Sequence, residues 1–172
     1  KAASGVVLST FHSFCLRVLR SEIERLGYRK DFTVSSESET RTRLRRVLSD
    51  IDGVRDSFSP DLFLERIGMM KNVDGGAQLP PEESEADERY AKWLPEVYER
   101  YQSALRAANA VDFDDLLLLT LKLRREHPSV LERHRQRFRY MMVDEFQDTN
   151  GVQYALLRTL ASHRNLCVVG DD

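Results

Sequence analysis

The stretch MMVDEFQDTN, residues 141–150, places charged and amide side chains directly after an apolar run. Asp144 and Glu145 follow a strand-like segment, and Gln147 comes two residues later. A carboxylate at the end of a buried strand can bind hydrated Mg²⁺, and a neighbouring carboxylate can orient an attacking water, as phosphoryl transfer requires. The alternative is structural, because an Asp-Glu pair after a strand can simply cap the next helix.

Two other apolar runs also end in polar residues. Ser9 and Thr10 end the run that begins at residue 5, and Gly170, Asp171 and Asp172 end the run that begins at residue 166. Ligands of open α/β sheets bind at the carboxyl ends of the strands. We therefore predict that the three polar ends share one crevice.

Strands and helices must position these residues, and the sequence predicts both at its two ends. Residues 5–10 are a β-branched run followed by a helical period, and residues 140–172 have the pattern strand, helix, strand. The last two strands are near-continuous apolar runs, which is typical of parallel strands covered on both faces. The expected fold is mostly α with a small parallel α/β part.

The middle of the chain, from about residue 30 to residue 110, has helical periodicity and no strand-like run. Ser36 and Glu39 have capping-box spacing, and Asp112 is a predicted helix cap. Pro95 is expected to break or kink its helix. The middle is therefore predicted to be a helical insertion.

Composition narrows the class of protein. The 172 residues are 41% hydrophobic and 31% charged, and no run of 18 apolar residues occurs, so we expect a globular cytoplasmic protein with no membrane contact. The net charge of −2 excludes a uniformly basic surface. Residues 41–46 and 133–139 are nevertheless basic, and are either solvated helix faces or local contacts for a polyanion.

Four segments, in order, resemble motifs of the UvrD/Rep/PcrA group of superfamily 1 DNA helicases. DEFQDTN (144–150) resembles motif II, the Walker B equivalent, and departs from it only at Phe146, which is commonly Tyr in the group. STFHSFCLRVLR (9–20) resembles motif Ib, VDFDDLL (111–117) resembles the helix start ahead of motif II, and VVGDD (168–172) resembles the opening of motif III.

The resemblance implies a division of the chain and a role for each site residue. Residues 1–30 and 110–172 would be part of the first RecA-like motor domain, called 1A, of a P-loop NTPase, and residues 31–109 would be its helical 1B insertion. In the intact helicase, ATP and Mg²⁺ would be cofactors, and single-stranded DNA and duplex junctions would be partners in replication or repair. The implied roles are Mg²⁺ binding by Asp144, catalysis by Glu145 and Gln147, nucleotide sensing by Gly170 and Asp171, and DNA binding by Ser9, Thr10, Phe11, His12 and Ser13.

The resemblance also indicates what this sequence lacks. The phosphate-binding loop G-x-x-x-x-G-K-[ST] is absent, and without its backbone N–H groups and lysine the β and γ phosphates have no binding site. We interpret the chain as an internal fragment of a helicase and expect it to be inactive alone.

Two functions from other classes remain as alternatives. A metal-dependent nuclease could use the carboxylates at positions 112, 114, 115, 144, 145 and 148. A helical protein-interaction module could instead use a surface that contains Met69, Met70 and Trp93.

Overall fold

The computed structural model describes residues 5–54, 57–73, 85–161 and 164–171. Seven α-helices lie in this part of the chain: α1 (Phe11–Glu22), α2 (Glu37–Ser49), α3 (Pro60–Lys71), α4 (Glu85–Ala107), α5 (Phe113–Glu126), α6 (Pro128–Arg137) and α7 (Gly151–Leu160). The strands are β1 (Thr33–Val34), β2 (Ala110–Val111), β3 (Met141–Val143) and β4 (Leu166–Val168), and 3-10 turns span Ile23–Leu26 and Phe146–Asp148. The prediction of a mostly helical protein with a small parallel part is confirmed.

Helix starts follow the predicted capping residues. The Ser36 side chain accepts from the Glu39 N–H, and the Glu39 carboxylate accepts from the Ser36 N–H, so both halves of the capping box of α2 form. Asp112 and Asp115 make the same reciprocal pair at the start of α5. Gly27, with φ of 78°, takes the left-handed conformation that ends the 3-10 turn after α1.

Of the two effects predicted for Pro95, a break or a kink, the break does not occur. α4 runs from Glu85 to Ala107 with Pro95 inside it. A proline within a helix costs about 3 kcal/mol. The cost is offset because α4 buries a stripe of large side chains, each worth roughly 1.5–3 kcal/mol. This stripe consists of Tyr90, Leu94, Val97, Tyr101 and Leu105.

The two small sheets are both parallel and two-stranded. Met141, Met142 and Val143 of β3 pair with Leu166, Cys167 and Val168 of β4, as predicted for the C-terminal strands. Met142 and Val168 are exposed, so within the described residues this sheet is not covered on both faces, contrary to the prediction.

Two predictions about strands elsewhere in the chain are wrong. Thr33 pairs with Ala110 and Val34 with Val111, so the middle of the chain does contribute a strand. Residues 5–10, by contrast, are not a strand, and Leu8 is 96% exposed. No described strand lies beside residues 5–10, so this segment has no ladder of hydrogen bonds to hold it extended.

Buried side chains form two clusters that meet at the β1–β2 pair. The first cluster contains residues between 15 and 32 and between 111 and 156, and joins α1 to α5, α6 and α7. The second contains residues between 44 and 110, from α2, α3 and α4. The chain passes from the first cluster to the second through β1 and returns through β2, so the β1–β2 pair connects the two clusters.

Two surface properties also follow from the described part of the chain. None of its helices is long and apolar enough to cross a membrane. Met69 is exposed, but Met70 is buried in the second cluster and Trp93 packs partly against it. Of the three side chains of the suggested interaction surface, Met70 is therefore not available, Trp93 is half-buried and Met69 is exposed.

Candidate functional site

Asp144 and Glu145 lie where the chain leaves β3 and turns sharply. Val143 is buried and its carbonyl accepts from the Val169 N–H at 2.8 Å, so the pairing with the second strand persists up to the turn. Glu145 has φ of 52°, a left-handed conformation that is uncommon for residues other than glycine. The Phe146 N–H then donates to the Val169 carbonyl at 2.9 Å, which holds the turn in place.

Gln147 connects this turn to the end of β4. Its Nε2 donates to Glu145 Oε2 at 2.6 Å, and its Oε1 accepts from the Asp171 N–H at 3.3 Å. A Cβ at Gly170 would lie only 2.5 Å from Gln147 Oε1, so a larger residue would push the glutamine away. Glu145, Gln147, Gly170 and Asp171 therefore lie together, and two of the three predicted polar ends share one site.

Asp144 has the chemistry of a Mg²⁺ ligand. Its side chain is exposed, and Oδ1 accepts from the Glu145 N–H at 3.1 Å. Mg²⁺ keeps several waters and usually binds one or two carboxylates together with substrate phosphates, so a single exposed carboxylate beside Glu145 fits this ion. A Mg²⁺ ion held there would supply positive charge to neutralise the oxygens of a bound phosphate.

Residues 9–13 form a separate group. The Thr10 side chain caps α1 by accepting from the Ser13 N–H at 3.2 Å, and Ser9, Thr10 and Ser13 are exposed. Phe11 is half-buried against the first cluster. The described hydrogen bonds and ring contacts of this group do not include residues 141–148, so the third polar end is not joined to the other two.

His12 stacks on a residue that the sequence analysis did not select. Its ring lies 3.8 Å from that of Phe113 with 17° between their planes. Burial lowers the pKa of His12, with Asp114 opposing, and Nε2 is buried without a hydrogen-bond partner in the described part. Phe113 is 58% exposed. No sequence signal distinguished it, since Phe113 is one of seven apolar residues among the fourteen of α5.

A buried ionic cluster lies at the start of α5 and was also missed. Lys71 Nζ lies 2.5 Å from Asp112 Oδ2 and 2.8 Å from Asp115 Oδ1, and the Tyr101 hydroxyl donates to Asp112 at 2.9 Å. Burial lowers the pKa of Lys71, but the two carboxylates outweigh it and raise the pKa above its ordinary value. Lys71 is therefore a charged residue that neutralises the caps of α5.

The six carboxylates required by the nuclease hypothesis do not converge. Asp112 and Asp115 are buried against Lys71, and Asp114 accepts from Asn72 at 2.9 Å. The others lie at the end of β3. Within the described ranges, no three His, Cys, Asp or Glu side chains are grouped so that they could hold a metal ion. The nuclease hypothesis thus lacks the ligand group on which it depends.

The two basic segments are largely engaged within the protein. In residues 41–46, Arg41 pairs with Asp61 at 2.6 Å, and Arg43 donates to the Ala104 carbonyl at 3.2 Å. In residues 133–139, Arg133 pairs with Glu22 at 3.0 Å, and Arg135 donates to the Thr159 carbonyl at 2.8 Å. These contacts support the interpretation as helix faces for half or more of the arginines in each segment.

Comparison with known proteins identifies relatives along the whole chain. Residues 1–172 match the UvrD/REP helicase N-terminal domain. The chain is 39% identical over 171 residues to the ATP-dependent DNA helicase PcrA of Leuconostoc citreum, covering 98% of this chain and 22% of that protein. The corresponding PcrA proteins of Staphylococcus aureus and Staphylococcus epidermidis are 37% and 38% identical, with 98% of this chain and 23% of each relative covered.

The chain thus spans less than a quarter of the length of these relatives. The predicted relationship to this group of helicases is confirmed by the match over all 172 residues. This chain belongs to the UvrD/REP helicase family.

Proposed function

We propose that the full-length protein containing this chain is an ATP-dependent DNA helicase that translocates on single-stranded DNA and unwinds duplexes in replication or repair. The observation that carries the proposal is that the Gln147 side chain forms hydrogen bonds with both Glu145 and Asp171 and so links them. A carboxylate poised at a strand end, and linked to the next strand end, can respond to a nucleotide bound between them. A cytoplasmic location follows from the proposed work on cellular DNA.

Each residue of the turn has a distinct role in this proposal. Asp144 would hold Mg²⁺ through a carboxylate oxygen, and Glu145 would accept the proton of the attacking water. Gln147 fixes the Glu145 carboxylate through its Nε2. Gly170 and Asp171 report on the nucleotide, because any shift of their backbone changes the hydrogen bond between the Asp171 N–H and Gln147.

The DNA-binding role is proposed for residues 9–13 together with Phe113. Exposed hydroxyls at Ser9 and Ser13 can contact phosphates, and the half-exposed Phe113 ring, supported from behind by His12, can stack on a base. Phe11 has less free surface because it packs on the first cluster. The partners would be single-stranded DNA and duplex junctions.

The proposed division into a RecA-like 1A part and a helical 1B insertion draws support from the two buried clusters. The first cluster lies almost entirely within residues 1–30 and 110–172, and the second within residues 31–109 and residue 110 itself. Phe32 is the buried exception, since it packs with the first cluster. The division at residue 31 thus comes slightly before the point where the packing changes.

The chain alone is proposed to bind no ATP productively. Phosphoryl transfer depends on several groups that position the phosphates and stabilise their charge, and the sequence has no phosphate-binding loop. A phosphate-release assay with MgATP and single-stranded DNA checks this, with Glu145→Gln in the same chain as the background. Turnover that depends on Glu145 would contradict the proposed inactivity.

The proposed function is tested in the full-length protein with Glu145→Gln. The amide keeps the shape and loses the basicity of the carboxylate, so kcat for ATP should fall by about a hundredfold or more while ATP binding persists. Glu96→Gln is the matched control, because Glu96 is exposed on α4 and pairs with Arg100, one turn away on the same helix. If Glu145→Gln hydrolysed ATP as fast as Glu96→Gln, the proposed catalytic role of Glu145 would be wrong.

A further inference from the structure

The residue after α3, Asn72, contacts three separate parts of the protein. Its Nδ2 donates to the Gly68 carbonyl and to Asp114 Oδ1, both at 2.9 Å. Its Oδ1 accepts from Asn150 Nδ2 at 2.6 Å, and its backbone carbonyl accepts from the Val152 N–H at 3.3 Å. Asn72 therefore joins the end of α3 to the first turns of both α5 and α7.

The contacts with α7 complete the cap of that helix. The first N–H groups of a helix lack partners within the helix. Asn150 Oδ1 accepts from the Gln153 N–H at 2.9 Å, and Asn72 supplies the acceptor for Val152. The bond from Asn150 Nδ2 to Asn72 also fixes the Asn150 amide with its oxygen turned toward Gln153.

Asn150 is the last residue of the segment that begins at Asp144. Between Glu145 and Asn150 the chain forms a tight turn, in which the Asp148 N–H donates to the Glu145 carbonyl at 3.0 Å and the Thr149 N–H to the Phe146 carbonyl at 3.1 Å. The turn that carries Gln147 is thus held at one end by β3 and at the other by Asn150. A shift of Asn150 would be transmitted through this short turn to Gln147 and Glu145.

We propose that Asn72 is a positioning residue for the turn 144–150, because it fixes Asn150 against the helical body and so sets where Gln147 and Glu145 lie. The neighbouring Lys71 reinforces the same junction through its ion pairs with Asp112 and Asp115. For its effect on ATP turnover the inference rests on the proposed function. Its structural part stands on the hydrogen bonds alone.

Three variants separate the contributions of the Asn72 side chain. Asn72→Ala removes the bonds to Asn150 and Asp114. Asn72→Asp keeps an acceptor for Asn150 but places two carboxylates in contact, which is unfavourable. The exchange Asn72→Asp with Asp114→Asn restores a donor and an acceptor with no change in net charge, because the amide and the carboxylate trade places and the bond between them runs in the reverse direction.

The first measurement is amide hydrogen exchange in the 172-residue chain. In Asn72→Ala, the amide of Gln153 should exchange about five- to tenfold faster, because the Asn150 side chain that caps it loses the hydrogen bond that fixes its orientation. The amide of Val152 should change less, because the backbone carbonyl of residue 72 remains as its acceptor. The amides of Ser13 and Phe14 in α1 should be unchanged, and circular dichroism should show that the helices remain. Unchanged exchange at Gln153 would refute the role of the Asn72 side chain in this cap, whatever the protein catalyses.

The second measurement is ATP turnover in the full-length protein. The kcat should fall about tenfold in Asn72→Ala and further in Asn72→Asp, with KM for ATP within about twofold, because misplaced catalytic groups slow the reaction without weakening nucleotide binding. The double exchange should recover most of the loss, because it restores a hydrogen bond between positions 72 and 114. If Glu145→Gln abolishes turnover while Asn72→Ala does not reduce kcat, the positioning role is wrong and the proposed function stands. If Glu145→Gln is active, the proposed function fails, and the exchange measurement alone decides the inference.

Discussion

Lys71, the last residue of α3, forms a buried ion pair with Asp112, the residue that caps α5, across 2.5 Å. The lysine side chain is inaccessible to solvent, and a second carboxylate, Asp115, lies 2.8 Å away. The helices α3 and α5 contribute to different buried clusters. The junction between the clusters therefore depends on the charge of Lys71. Water cannot reach this charge to take the place of the two carboxylates.

Replacing Lys71 with Met should destabilise the protein by about 3–5 kcal/mol, because two carboxylates would remain buried without a counter-charge. Urea unfolding followed by circular dichroism measures the change. Arg41→Met is the control, since it breaks the Arg41–Asp61 pair, which is of similar length but exposed, and should cost less than about 1 kcal/mol. Equal losses in the two variants would mean that Lys71 is not buried as described.

Replacing Arg124 with Met should have the opposite effect on the free energy of unfolding. Its guanidinium is buried, and Nε and both terminal nitrogens have no hydrogen-bond partner among the described residues, although it lies 5.2 Å from the centre of the Phe14 ring. Burial lowers the pKa of Arg124 to about 10, so the fold disfavours the charged form. Arg124→Met should raise the free energy of unfolding by about 1–3 kcal/mol.

The comparison for Arg124 is Arg106→Met, measured in the same urea titration. Arg106 donates to the Leu26 carbonyl at 2.7 Å and lies over the Tyr28 ring, so removing it should destabilise the protein by about 1–3 kcal/mol. A loss of stability in Arg124→Met as large as that in Arg106→Met would show that Arg124 has a partner after all.

Stability should decrease as the pH falls below about 6.5, in part because of His134. Burial lowers the pKa of His134 from its ordinary value of 6.5, and the nearby Arg124 adds to the effect. Since the unfolded chain then binds the proton first, the contribution of His134 is complete above pH 6.5 and is lost as the pH falls through this range. Melting temperatures at about pH 7.5 and about pH 5.5 should differ less in His134→Gln than in the unaltered protein. An identical difference in both proteins would contradict the burial of a neutral imidazole.

DNA binding by the chain alone should be weak and strongly dependent on salt, because phosphate contacts dominate such binding. Phe113→Ala should weaken binding of a fluorescent oligothymidine about tenfold, as expected for one lost stacking contact. Tyr140→Ala is the matched control, since Tyr140 is an aromatic residue that is 81% exposed on another part of the chain. Tight binding that persists at high salt, or equal effects of the two substitutions, would contradict the proposed role of Phe113 and residues 9–13.

The sequence predicted best those structural features that depend on residues close together in the chain. The capping boxes of α2 and α5 join residues three positions apart, and Gly27 acts through its own backbone, so the local pattern was sufficient. The close approach of Gln147 to Asp171 followed from a general rule about parallel strands. Roles for the residues 144–147 remain predictions that the experiments above can test.

The features that the sequence did not predict are set by distant partners. Lys71 and Asp112 are 41 positions apart, and β1 and β2 pair across 77 positions, so neither has a local pattern. The same reason explains the error at residues 5–10 and the absence of a helix break at Pro95. An extended segment needs a neighbouring strand, and a proline is tolerated when tertiary packing supplies enough buried surface.

The β1–β2 pair has a consequence for how such a protein can change over evolution. Neighbouring strands lie roughly 4.8 Å apart, so the chain leaves the part of the protein that contains the first cluster, and re-enters it, at almost the same point. Residues 35–109 can therefore behave as a cassette, with both ends anchored side by side. Replacement by a longer, shorter or unrelated segment would leave α1 and α5 in register, as long as the new ends still meet at Val34 and Ala110 and the new segment supplies the counter-charge that Lys71 gives to Asp112 and Asp115.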